Sequence, residues 1–307
     1  MTPPRSKLKP AGRPTSGRLP IALIAASALL AGPRPMAARE LRVPEEHPTI
    51  QQAVDSAKPG DRVRVGPGIY REIVSLHDSV QVASDPPWQA LIVGEVHLHF
   101  LRQAVFEGFA VVSNYGGIHC FGGEGIRITG NLVAGGDDTV GPGITCFDTA
   151  ALVNENVIFR RQGIGIYCER SAAVILQNTI VENGAADLPR AGIHCGPGAT
   201  PTIERNIIAF GRGPAIRCEP GAMPTVRCNN LFGNSGGDAI CGVDEGNNLT
   251  VDPAFCDRAN GQLGLRADSP CAQAAGCGPL GAEAVACAAS AVESVSWGWI
   301  KARALTE

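Results

Sequence analysis

The sequence predicts an all-β solenoid, a chain wound into short strands that stack coil upon coil. Two observations carry this prediction. Five short apolar stretches each hold a cysteine, at Cys120, Cys146, Cys168, Cys195 and Cys218, spaced 26, 22, 27 and 23 residues apart. An asparagine follows each one ten or eleven residues later, at Asn131, Asn156, Asn178, Asn206 and Asn229, with spacings of 25, 22, 28 and 23. Repeats of this length build quasi-one-dimensional stacks in which each unit buries its inward face on its neighbours.

Each unit has an apolar residue two places before its cysteine, as in Ile118-His119-Cys120 and Ile166-Tyr167-Cys168. In a strand these two share one face, and the residue between them takes the other. A second short run precedes the asparagine, as in Ile126-Arg127-Ile128 and Thr202-Ile203-Glu204. A third follows it, as in Leu132-Val133 and Ile207-Ile208. Three strands per repeat, joined by Gly-, Asn- and Pro-containing turns, leave no room for a helix. Stacked at a rung spacing of about 4.8 Å, the cysteines form a buried column in which each acts as a small hydrophobe. The asparagines form a second column at a bend, each amide bonding the next.

Ahead of the repeats, Ile50, Ala53, Val54 and Ala57 fall at i, i+3, i+4 and i+7, one face of a short helix. Thr49 is its N-cap and Gly60 its stop. With Pro59-Gly60-Asp61 and Gly66-Pro67-Gly68-Ile69-Tyr70 behind it, this stretch and the repeats resemble the right-handed parallel β-helix of the pectate-lyase-like superfamily, over roughly residues 44 to 282. The resemblance implies an N-terminal capping helix over the open end of the first coil, which would otherwise offer unpaired backbone. It also implies a closing segment through Asp252-Pro253-Ala254-Phe255 and Gly278-Pro279-Leu280. The β-helix domain with both caps is expected over 39–287.

Residues 1–38 carry Arg5, Lys7, Lys9, Arg13 and Arg18, then an apolar run of 13 residues from Leu19 to Ala31, then Ala37 and Ala38. This is the layout of a secretory signal peptide, and the run is short for a bilayer span. The expectation is a secreted or cell-surface protein with no membrane span after signal removal. Without the leader, 20 basic residues face 29 acidic ones, a formal charge of −9, which argues against a nucleic-acid partner. Residues 288–307, with Trp297, Trp299 and Lys301, read as a flexible C-terminal tail.

Six further cysteines cluster late: Cys228, Cys241, Cys256, Cys271, Cys277 and Cys287. In a secreted chain such a cluster implies disulfides that staple a loop-rich C-terminal cap. Cys271 and Cys277 straddle a short loop and form the favoured pair, the rest staying open. A zinc site is not expected, because the cluster holds no histidine and its spacings match no ligand pattern.

The resemblance also sets the chemistry to look for. Lyases of this superfamily pair an acid-bound calcium with an Arg or Lys base, and its hydrolases use three close aspartates. Asp137 and Asp138, in Gly135-Gly136-Asp137-Asp138-Thr139, resemble the paired aspartates of the polygalacturonase-like hydrolases, but the companion Asn-Thr-Asp, His-Gly and Arg-Ile-Lys motifs are missing. A lyase reading makes Asp137, Asp138 and Asp148 calcium ligands and Arg160 or Arg161 the base. Only one of two adjacent arginines can face such a site. Calcium is the only cofactor implied, and only by that reading.

The other candidate is a binding surface. His119, Tyr167, His194 and Arg217 each stand just before a column cysteine, with Thr145 among them. They would project outward in one row able to hold an extended glycan by ring stacking and hydrogen bonds. The solenoid is complete and the catalytic set is not. The favoured reading is therefore a non-catalytic extracellular or surface scaffold that binds polysaccharide. The alternative is a polysaccharide lyase or glycoside hydrolase acting on an acidic polysaccharide.

Overall fold

The structure is a computed structural model and describes residues 38–135, 139–184, 190–282 and 287. The proposed leader up to Ala37, the tail at 288–307, and Asp137 and Asp138 lie outside the described residues.

The chain forms the parallel β-helix that the repeats predict. Successive coils add strands to three parallel sheets of ten, seven and eight strands. One coil shows the order: Ile118–Phe121 joins the seven-stranded sheet, Arg127–Thr129 the ten-stranded sheet and Leu132–Ala134 the eight-stranded sheet. The predicted columns are in register. Ile118, Ile144, Ile166, Ile193 and Ile216 stack rung upon rung, as do Cys120, Cys146, Cys168, Cys195 and Cys218. Leu98 heads the cysteine column.

Cys120, Cys146, Cys168 and Cys195 are buried free thiols. Burial pushes the thiols of Cys120 and Cys195 up to about 12. In the unfolded chain they titrate near about 8.5. The folded state then keeps protons that the unfolded state releases. The stabilisation is whole below about pH 8.5 and is lost as pH rises toward the folded value. Urea unfolding should show stability falling between about pH 8.5 and pH 11, by at most about 1.4 kcal/mol per pH unit per thiol. A Cys120→Val, Cys195→Val variant should show a shallower fall, and an unchanged slope would contradict this account of the column.

The asparagine column is a hydrogen-bonded ladder. Asn131 donates from N and Nδ2 to Oδ1 of Asn156, both at 3.0 Å. Asn156 does the same to Asn178, Asn178 to Asn206 and Asn206 to Asn229, all between 2.8 and 3.0 Å. Asn229 extends the ladder to Asn248. The residues just before the amides, Glu155, Gln177, Arg205 and Cys228, are left-handed with φ of 57°, 53°, 55° and 55°. That conformation costs roughly 1–2 kcal/mol for a residue with a side chain, and the amides hold the chain in it.

The helix spans Ile50–Ser56 with Thr49 as its N-cap, Oγ1 accepting from the Gln52 N–H at 3.2 Å. Glu72 accepts from the N–H groups of Ile50 and Gln51, both at 2.9 Å, which places a carboxylate at the positive end of the helix. Ile50, Ala53 and Val54 are buried against Glu40–Val43, Arg62–Val65 and Val74–Ser75.

The disulfides correct one expectation. Cys271 and Cys277 are not paired. The bridges are Cys218–Cys241, Cys228–Cys277 and Cys256–Cys287, and Cys271 is a buried free thiol. The reason lies in how the last segment runs. Phe255, Leu263, Leu265, Cys271 and Leu280 pack in one cluster with Leu132, Val157, Phe159, Val181 and Ile207 on the outer side of the eight-stranded sheet. Cys271 fills this second apolar layer, and Cys277 meets a corner of the solenoid 49 residues earlier in the chain. Cys218, the last member of the column, is bridged to Cys241 and so departs from the free thiols before it. The eight-stranded sheet is thus covered on both faces, which leaves the seven- and ten-stranded sheets to present outer surfaces.

Candidate functional site

Parallel registration builds the site on the outer face of the seven-stranded sheet. His97, His119, Thr145, Tyr167, His194 and Arg217 occupy one row, each opposite the next. The predicted set His119, Tyr167, His194 and Arg217, with Thr145, is therefore brought together. A second row, two residues further along each strand, runs His99, Phe121, Phe147 and Glu169.

The rings form a continuous ridge. His97 stacks on His99 with centroids 4.9 Å apart, and His99 meets Phe121 edge-on at 4.9 Å. Phe121 lies 5.5 Å from Phe147, and the guanidinium of Arg170 sits 4.1 Å from the Phe147 ring centre. Arg170 is fixed by Asp148 at 2.8 Å and by Glu169 at 2.8 Å.

The predicted row is not evenly open. His194 is 4% exposed and Thr145 6%, because neighbours lean over them. The Tyr167 ring meets His194 edge-on at 5.4 Å, and His194 Nε2 lies 3.0 Å from Glu219 Oε1. Tyr167 donates its hydroxyl to Glu169 at 2.5 Å. Burial and that carboxylate push the phenol well above its ordinary range, so Tyr167 serves as a protonated donor. Burial also holds the imidazoles of His119 and His99 below their ordinary range, which keeps both neutral at pH 7. Arg217 is exposed and forms no ion pair among the described residues.

Of the lyase candidates, Asp148, Arg160 and Arg161 are described, and each is engaged by other partners. Arg160 bonds Glu182 at 2.7 Å and the Ala259 carbonyl at 2.8 Å, and it lies over the Phe159 ring. It ties the C-terminal segment to the eight-stranded sheet. Asp148 is paired with Arg170. Arg161 is buried, donating to carbonyls of Ala134, Ser113 and Gly141. Calcium needs six to eight oxygens, and the described residues assemble no such set. They do bring one group of metal-capable atoms together, Glu95, His97 and His119.

A groove on the ten-stranded sheet is the rival surface, lined by Gln81, Glu107, Arg127, Asn154 and Glu155. No aromatic ring is among its lining residues.

Glu95, His97, His99, Phe121 and Phe147 escape a reading keyed on cysteine. Leu98 stands at the cysteine's position in their first coil, so that coil does not align with the repeat. The signal was the alternation Val96-His97-Leu98-His99, which puts both imidazoles on the face opposite the core.

Solved structures share this fold. Pectate lyase Pel9A superposes with a TM-score of 0.54 at 13% identity, covering 81% of this chain and 97% of that one. A mannuronic acid specific polysaccharide family 6 lyase from human gut microbiota gives 0.53 at 14%, covering 63% of this chain and 54% of that one. A mutant of the PL6 family alginate lyase AlyGC gives 0.50 at 14%, covering 64% of this chain and 32% of that one. The chain thus spans about half and about a third of the length of the two family 6 enzymes. No protein-family model and no curated protein matches the chain. The fold is the pectate-lyase-like β-helix, and a fold does not by itself assign an activity.

Proposed function

We propose that this chain is a secreted or surface β-helix that binds polysaccharide along the outer face of its seven-stranded sheet, without cleaving it. The observation that carries this reading is the ridge of His99, Phe121 and Phe147 running beside His97, His119, Tyr167 and Arg217. The rungs of His99, Phe121 and Phe147 offer rings for sugar faces, while Tyr167, Glu169 and Arg217, which is exposed, offer polar contacts. An extended polymer running along the solenoid would meet rings on the coils of His99, Phe121 and Phe147 and polar groups on the coils that follow, as solenoid surfaces allow.

The neighbours named as lyases of pectate and alginate support a polysaccharide as the ligand class. Binding without cleavage is favoured because Arg160, Arg161 and Asp148, the described members of a lyase set, are already engaged with Glu182, backbone carbonyls and Arg170. Three disulfides suit an oxidising compartment, as does the basic, then apolar, leader at 1–38. No described helix is long and apolar enough to cross a membrane.

The test is titration with alginate, pectate and neutral glucan oligomers, with new reducing ends and unsaturated product followed in parallel. Saturable binding of at least one glycan is expected. Ring contacts contribute about 0.5–1.5 kcal/mol each, so Phe121→Ala with Phe147→Ala should weaken binding by about tenfold or more. No saturable binding at millimolar oligomer would overturn the reading, and turnover would replace it with the lyase or hydrolase alternative.

A further inference from the structure

We infer that Glu95, His97 and His119 form a binding site for one divalent ion of the zinc class, with a coordination position left open. The site stands on its own geometry and does not depend on a glycan being bound.

The fold makes the arrangement. Glu95 and His97 are two residues apart and share the outward face of the chain entering the strand Val96–His99. His119 lies opposite His97 on the next rung. His97 Nε2 is 3.1 Å from Glu95 Oε2, and His119 Nε2 is 3.9 Å from the same oxygen. The three ligand atoms all lie within 4.8 Å of one another. A tetrahedral zinc with bonds of about 2.0–2.1 Å holds its ligands roughly 3.3 Å apart. Small side-chain rotations close the difference without moving the backbone.

A single Glu–His hydrogen bond would be the ordinary use of such residues. Two features go beyond it. Both imidazole nitrogens converge on one carboxylate oxygen. The two rings are also held in place: His97 is stacked on His99 with planes 10° apart, and His119 lies so close to the chain that a Cβ at Gly116 would fall 2.2 Å from its Nε2. The side chains of Glu95, His97 and His119 are 24%, 27% and 18% exposed, sheltered yet open to an ion and a water. Two nitrogens and one oxygen suit zinc and its late first-row neighbours, with copper(II) binding tighter by the general order. They do not suit calcium or magnesium, which take oxygen ligands.

The untagged full chain, stripped with a chelator and dialysed, should bind one equivalent of Zn2+ by calorimetry and raise its melting temperature as Zn2+ is added. Co2+ should give visible d–d absorption without a thiolate charge-transfer band, since the column thiols are buried. Ca2+ should do neither. His97→Gln, His119→Gln and Glu95→Gln should each weaken Zn2+ by more than the roughly 10–100-fold that loss of a ligand's supporting partner costs, with unchanged circular dichroism. Gly116→Ala, which displaces the His119 ring, should weaken it about tenfold. His47→Ala, at a histidine that follows the first strand of the ten-stranded sheet, should leave it unchanged. Absence of stoichiometric binding, a thiolate band, or affinity indifferent to His97→Gln and His119→Gln would overturn the assignment.

Discussion

Replacing Asn178 with alanine should destabilise the protein by about 4 kcal/mol. Asn178 is fully buried and sits in the middle of the amide ladder. Its Oδ1 accepts from N and Nδ2 of Asn156 at 2.9 and 3.0 Å. Its Nδ2 donates to Asn206 and to the carbonyls of Val153 and Leu176. Alanine keeps both backbone bonds, the N–H to Asn206 and the carbonyl from Ile207, and loses every side-chain bond. The Asn156 N–H then loses its acceptor in a buried site, and the Val153 and Leu176 carbonyls each lose a donor, Leu176 keeping the Glu155 N–H. Each buried polar group without a partner costs about 1–3 kcal/mol, and partial relaxation keeps the sum below the simple total. Urea denaturation checks the value. Because each coil contacts only its neighbours, the transition should also broaden as the two halves of the stack unfold less together. Gln177→Gly is the matched control. It changes the left-handed corner residue next door and leaves every ladder bond in place, so it should not destabilise.

Arg161→Ala should cost about 3 kcal/mol. Its backbone N–H donates to Asn183 Oδ1 at 3.1 Å, while Nη1 donates to the Ala134 carbonyl at 2.9 Å and Nη2 to the carbonyls of Ser113 and Gly141 at 3.3 Å each. One side chain therefore joins turns from three coils. Two effects compete on its removal. Burial lowers the guanidinium pKa to about 10, which marks the cost of keeping it dry and cationic, and alanine relieves that cost. Against this, the carbonyls lose charge-assisted bonds worth about 1.5–3 kcal/mol each, and the truncated side chain leaves a cavity. The losses outweigh the relief because several carbonyls share the one cation. The destabilisation should come with faster proteolytic cutting in the turns around Ser113 and Gly141. Arg160→Ala, on the outward side, should cost less and act mainly by loosening the segment it holds through Ala259.

The two adjacent arginines also mark how far a sequence can be read. That only one could face a given site followed from alternation along the chain. Which one turns inward, and what each bonds among the described residues, depended on Glu182, Asn183 and a carbonyl from another turn. The cysteine and asparagine columns were legible because a stacked repeat puts equal positions at equal heights, and both stack in register, although Cys218 departs from the expected free thiol by bridging to Cys241. His97 and His99 were hidden because Leu98 replaces the marker residue in their coil. The pairing of Cys277 with Cys228 depends on a fold-back that no local spacing encodes. Its trace was nevertheless present. Leu132, Val157, Phe159 and Ile207 are apolar at positions that would face water on an uncovered sheet, and strands apolar on both faces call for cover. The buried state of His194 and Thr145 was invisible for a similar reason, since it comes from the tilt of Tyr167 and from Glu219 rather than from strand position.

Hydroxyl-radical footprinting with a bound acidic oligosaccharide is the most direct measurement of the binding face. Protection should fall on Phe121, Phe147 and Tyr167, with no change at Val105 and Leu176 on the ten-stranded sheet. Protection on the ten-stranded face, or uniform labelling with the glycan present and bound, would place the ligand elsewhere and contradict the assignment.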